Sequence, residues 1–131
     1  MRVALVHRNF NLGGSLGRDA VLLARSLAAE GVEVHLYGDP MRRSDAVAGL
    51  AFHDVRPLAR GQSRFVLPLE RASFAARATR ALRRDRLHYD IVHVCGTDGW
   101  EHDVVTIHEV VVAAQRRWAD RGGRGYRAAR L

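Results

Sequence analysis

The sequence predicts an α/β fold, a Rossmann-like doubly wound parallel sheet of strand order about 3-2-1-4-5 with flanking helices. Three observations predict it. Val3, Ala4, Leu5 and Val6 form a continuous apolar run, which is how a strand buried on both faces of a parallel sheet reads. A glycine-bearing turn and an amphipathic helix follow it directly. A second strand pattern then closes a β-α-β unit, and another apolar run, Ile91 to Cys95, returns after a long basic helix.

The first helix shows its apolar face in Ala20, Val21, Leu23, Ala24, Leu27 and Ala28, with Arg18 and Arg25 opposite and Gly31 as the stop. Between strand and helix, Asn11, Leu12, Gly13, Gly14 and Gly17 read as a turn that lets the backbone approach a ligand at a helix N-terminus, where anions are favoured. The glycines do not space as G-x-G-x-x-G, and a Walker loop is excluded because the chain has no lysine.

Val32 to Tyr37 alternates as a second strand and ends at Gly38, Asp39 and Pro40. Asp39 stands where a dinucleotide-binding protein places its ribose acid, but a strand end followed by a turn explains it as well. Met41 to Leu50 reads as a loop with one helical turn, and Ala51 to Arg56 as a third, edge-type strand before Pro57. Arg60 to Arg64 form a polar connection. Pro68 fits the first turn of a helix reaching about Asp85.

On that helix Phe74, Ala75, Ala78, Ala81 and Leu82 share one face, and Arg77, Arg80 and Arg84 gather opposite. The basic face fits either solvent or an anionic lipid surface. Asp90 to Cys95 forms the fourth strand, Gly96 to Gly99 a turn, and Asp103 to Ile107 the fifth strand. Only about seven residues separate the last two strands, too few for a full crossover helix, so a degenerate connection around Trp100 and Glu101 is expected. Val111, Ala114 and Trp118 then share a helical face up to Gly122 and Gly123.

Length and composition suit one domain over residues 1–131, with 47% hydrophobic residues for a core. The net charge of +7 and a pI near 11.1 would ordinarily suggest nucleic acid or anionic membrane. All 21 basic residues are arginine, however, a bias that raises charge without selecting a partner. Nucleic acid is therefore not an expected partner. One cysteine, Cys95, excludes an intrachain disulfide and agrees with a reducing compartment. No apolar run reaches the roughly 20 residues of a membrane span, so a cytoplasmic protein is expected, with peripheral contact at the inner membrane face left open.

Four blocks, MRVALVHRNFNLGG, LLARSLAAEGVEVHLYG, YDIVHVCGT and DVVTIHE, together resemble the N-terminal half of a bacterial retaining glycosyltransferase of family 4, the group 1 type. The resemblance implies a GT-B architecture, in which a first Rossmann-like domain binds the acceptor and a second binds the nucleotide sugar. It implies that Gly13 and Gly14 touch the donor diphosphate and the acceptor, and that His108 in TIHE has a catalytic role. The donor domain's acidic residues lie beyond this chain, which the resemblance makes an incomplete acceptor-side domain, inactive alone. The implied substrates are a UDP- or GDP-sugar and an acceptor sugar, lipid or small molecule, with no separate cofactor. Cys95 stands where many members carry a second histidine.

Topology adds its own argument. In a 3-2-1-4-5 sheet the first and fourth strands flank the switch point where ligands collect, which places Gly13, Gly14, Gly96, Thr97 and His108 at neighbouring carboxyl ends. With strands about 4.8 Å apart they span about 10 Å, room for a sugar beside a phosphate. His93, His102, His108 and Glu109 do not make a zinc motif, since HEVVV lacks the second histidine of H-E-x-x-H. His93 reads as a core histidine, and Cys95 with His108 lacks the third group that would orient a nucleophile and base. The alternative to a sugar-transfer domain is a non-catalytic nucleotide- or anion-binding module. Self-association through the valine-rich edge strand is expected in either case.

Overall fold

The computed structural model describes residues 1–107, and the expected fold is present there. Five strands, β1 (Arg2–Val6), β2 (Glu33–Gly38), β3 (Ala51–Asp54), β4 (Ile91–Cys95) and β5 (Val104–Thr106), form one parallel sheet in the order β3-β2-β1-β4-β5. Helix α1 (Ser15–Ala29) joins β1 to β2, and α2 (Val66–Asp85) lies between β3 and β4.

The apolar run of β1 is explained by two cores, one on each side of it. Val3 and Leu5 pack with Ala20, Val21 and Ala24 of α1, together with Val34 and Leu36. Ala4 and Val6 pack with Phe74, Ala78 and Leu82 of α2, together with Val92 and Val94. A strand with apolar side chains on both sides cannot alternate with polar ones, so its continuous pattern is what burial of both faces requires.

The boundaries depart from expectation where a side chain or a glycine acts locally. Helix α1 begins at Ser15, so Gly17 belongs to its first turn and not to the preceding loop. A Cβ at Gly17 would lie 2.6 Å from Asn11 O and 2.7 Å from Asn9 O, so glycine lets the helix press against the loop backbone. Helix α2 starts two residues before Pro68, at Val66, whose amide donates to Ser63 Oγ at 3.1 Å. Between β2 and β3 there are two 3-10 turns, Pro40–Arg42 and Asp45–Val47, capped by the side chains of Asp39 and Ser44.

The connection from β4 to β5 contains no helix. Arg86 donates to both carboxylate oxygens of Asp103, at 2.7 and 2.8 Å, and the Val92 amide donates to Asp103 Oδ2 at 2.8 Å. Asp103 thus aligns β5 beside β4 where a crossover helix would otherwise do so. Among the described residues no strand pairs with the outer edge of β5, where Val104, Val105 and Ile107 are 43%, 39% and 64% exposed.

On the α2 side of the sheet, His35 Nδ1 and His53 Nε2 lie 2.9 Å apart, so one proton serves both nitrogens. The Tyr37 ring stacks on His53 at 4.4 Å, and its hydroxyl donates to Asp85 Oδ2 at 2.8 Å. Burial and the neighbouring His35 hold the His53 pKa below the usual histidine range, and burial does the same to His93. The unfolded chain therefore takes up protons that the folded chain refuses. Stability should be complete above the ordinary histidine pKa of about 6.5 and decline as the pH falls below it. Thermal melts from pH 8 to pH 5 should show this decline, and His53→Gln should flatten it.

Candidate functional site

The carboxyl ends of β1 and β4 meet at the switch point, and polar chemistry concentrates there. His7 and Arg8 continue directly from β1, and Gly96 turns the chain away from β4 with φ +71, a left-handed value that favours glycine. That turn brings Asp98 back against β1. Its carboxylate accepts from the Arg8 amide at 2.8 Å and lies 3.2 Å from Arg8 Nε and 2.9 Å from His7 Nδ1. Burial alone would raise the Asp98 pKa, but His7, the Arg8 amide and the Arg8 charge outweigh it and hold the group below the usual carboxylate range.

His7 is 3% exposed; its Nδ1 approaches Asp98 Oδ2 at 2.9 Å, and its Nε2 has no hydrogen-bond partner among the described residues. A buried polar atom left without a partner is unusual in a folded interior, and this one stands beside the sheet's switch point. Phe10 closes one side, edge-on to His7 with ring centroids 6.1 Å apart.

Behind this pair stands Glu70, with its side chain 1% exposed. It receives Arg8 at 3.2 Å, Arg42 at 2.9 Å and the Gly61 amide at 2.9 Å. Arg42 also donates to Asn9 Oδ1 at 3.1 Å. Asp39 is bound by the Arg60 guanidinium at 2.7 and 2.8 Å and caps the Met41 amide at 3.1 Å. These contacts hold its pKa low against the opposing effect of burial. Arg60 thus engages both oxygens of the carboxylate that a dinucleotide reading would reserve for a ribose.

The glycine loop is the open part of the site. The Gly13 amide donates to Asn11 Oδ1 at 3.0 Å, a local turn that leads into the helix. Gly14 is the extended N-cap residue of α1, with no side-chain cap and no acid in the first helical turn. Both glycines are exposed, and a Cβ at Gly14 would meet nothing within 4 Å. This 15-residue helix therefore starts without a side-chain cap and without an acid in its first turn, the arrangement that favours an anion.

Gly96 and Thr97 sit on the loop after β4, as the sequence places them, with Thr97 exposed. His108 and Glu109 lie outside the described residues. His93 is half-buried in β4 and bonds Thr106 Oγ1 at 2.6 Å, in keeping with a structural role. Cys95 is buried, and burial, with Asp98 and Asp19 nearby, pushes its thiol up to about 11, a poor start for a nucleophile. No group of three potential metal ligands occurs among the described residues.

Sequence reading missed His7, Arg8, Glu70 and Asp98. Three had a signal available: His7 and Arg8 as polar residues directly after an apolar strand, and Glu70 as a carboxylate on the buried side of a helix; Asp98, in the turn after β4, had none. A concavity lies elsewhere, beside α2 and Trp100, and the switch point is identified by its chemistry.

Glu70→Ala should lose about 3 to 5 kcal/mol in urea unfolding, because Arg8 and Arg42 would remain with less compensation in a buried setting. Gly17→Ala should cost about 1 to 3 kcal/mol through its backbone clash, whereas Gly14→Ala should leave the melting temperature nearly unchanged. A search of family models found none that matches the chain, and a search of characterised proteins found no match either.

Proposed function

We propose that this chain is the acceptor-side domain of a nucleotide-sugar-dependent glycosyltransferase of the GT-B, family 4 type, acting with retention. The observation that carries the reading is the uncapped, exposed start of α1 at Gly13 and Gly14, set at the switch point of a 3-2-1-4-5 sheet. The buried, unpartnered Nε2 of His7, just past β1 and before that loop, supports it. In this reading the helix amides hold phosphate oxygens, Gly96 and Thr97 line the acceptor side, and His108 contacts the reacting sugar.

One observation favours the second reading, a binding module without catalysis of its own. Asp39, Glu70 and Asp98 are all engaged by arginines, and the Cys95 thiol is held protonated. A catalytic step would then draw on His108 and on groups supplied by a donor domain.

The two readings part in solution. With ¹⁵N-labelled chain, pyrophosphate and UDP should move the Gly13 and Gly14 amide resonances under both. Sugar acceptors should additionally move Gly96 and Thr97 only if the sugar-transfer reading holds. Unmoved glycine resonances with every anion would sink both. Radiolabelled nucleotide sugars should give no transfer with residues 1–131 alone, and turnover in that assay would contradict the assignment of donor binding to another domain.

A further inference from the structure

Among the described residues the connection between β4 and β5 carries no helix, and a concavity of about 500 Å³ lies between α2 and Trp100 of that connection. Ala76, Thr79, Arg80, Arg83, Arg84 and Trp100 line it. The Trp100 amide donates to Thr79 Oγ1 at 3.0 Å, which fixes the loop to the helix while the residue remains 62% exposed. Arg83 is paired with Glu101 at 3.1 Å and Arg86 with Asp103, so the two nearby acids are already neutralised.

Arg80 and Arg84, four residues apart on the same helical row, make no ion pair or hydrogen bond among the described residues. Three residues further on is Leu87, in the 3-10 turn that extends α2 and 99% exposed. Arg77, which the sequence groups with Arg80 and Arg84, is instead engaged with Arg56 O at 2.6 Å.

We propose that Arg80, Arg84, Leu87 and Trp100 form a docking surface for an anionic phospholipid layer. The two arginines supply unanswered positive charge for lipid phosphates. An exposed indole and an exposed leucine supply the apolar contact that an interfacial helix sinks to headgroup depth. Arginine snorkelling allows the charged row and the apolar side chains to sit at different depths on one surface. A nucleic-acid surface would use the arginines but leave Leu87 without a role. A second copy of this chain, also carrying +7, would bring like charge to the groove. This surface is independent of the sugar-transfer reading.

The test uses the full chain carrying Trp118→Phe, so that Trp100 alone reports. With phosphatidylcholine vesicles containing phosphatidylglycerol, the chain should cosediment and its emission should shift to the blue. With phosphatidylcholine alone it should do neither. Arg80→Glu with Arg84→Glu should weaken binding at least about tenfold. Arg64→Glu with Arg71→Glu, the same change in net charge elsewhere, should weaken it much less, and Leu87→Asn should reduce it without changing the charge. Absence of vesicle binding would overturn the proposal. So would equal losses in the two double variants, or an unmoved Trp100 emission on binding. Binding to a single-stranded oligonucleotide through Arg80 and Arg84, without vesicle binding, would assign the surface to nucleic acid and likewise overturn it.

Discussion

Glu70 is the contact on which the ligand end of the molecule depends. Its carboxylate lies within α2, yet its partners come from the end of β1, from the turn after β2 and from the connection leading to α2. Burying one negative charge among two guanidiniums is favourable only if the geometry stays tight, because desolvation opposes each ion. The requirement therefore fixes three loops relative to one another. Arg8, so held, faces Asp98 as well, and through Asp98 the loop after β4 joins the same network. What could have been four independent surface loops becomes one charged framework around the switch point.

Much of the fold was legible because burial leaves a periodic trace. The run Val3 to Val6 and the face shared by Phe74, Ala78 and Leu82 record the two cores directly. The strand order followed from those runs and from chain reversals. The charged framework left only a faint trace: Glu70 stands four residues before Phe74 on the apolar face of α2, but spacing along one helix does not say which arginines from other elements meet it. Gly17 was misplaced for a related reason: its need comes from the carbonyls of Asn9 and Asn11, a contact in space with no sequence period. At the site, the positions of Gly13, Gly14, Gly96 and Thr97 followed from topology, whereas His7 and Asp98 became visible only when their mutual approach was known.

The degenerate connection between β4 and β5 has two effects. It leaves α2 without a neighbouring helix on its β5 flank among the described residues, and an arginine-lined concavity lies there beside Trp100. It also transfers the alignment of β5 from helix packing to Asp103, whose carboxylate serves both Arg86 and the Val92 amide. A short connection with a bidentate clamp can hold a three-residue strand in register where loop entropy alone would not.

The sheet's central strand also precedes its neighbours in the chain. β1 finds its neighbour β2 about a helix later, with Arg2 and Glu33 separated by 31 positions, whereas the contact of Arg2 with Asp90 spans 88. During synthesis, then, β1, α1 and β2 can assemble while one side of β1 still awaits β4. In that interval a strand of four buried apolar residues presents an unpaired hydrogen-bonding edge to the ribosome's surroundings. The slowest step of assembly is expected to be the closure of that long-range pairing. Quality control of a nascent chain of this design would accordingly act between the emergence of α1 and that of β4, a window set by strand order and not by the stability of the finished domain.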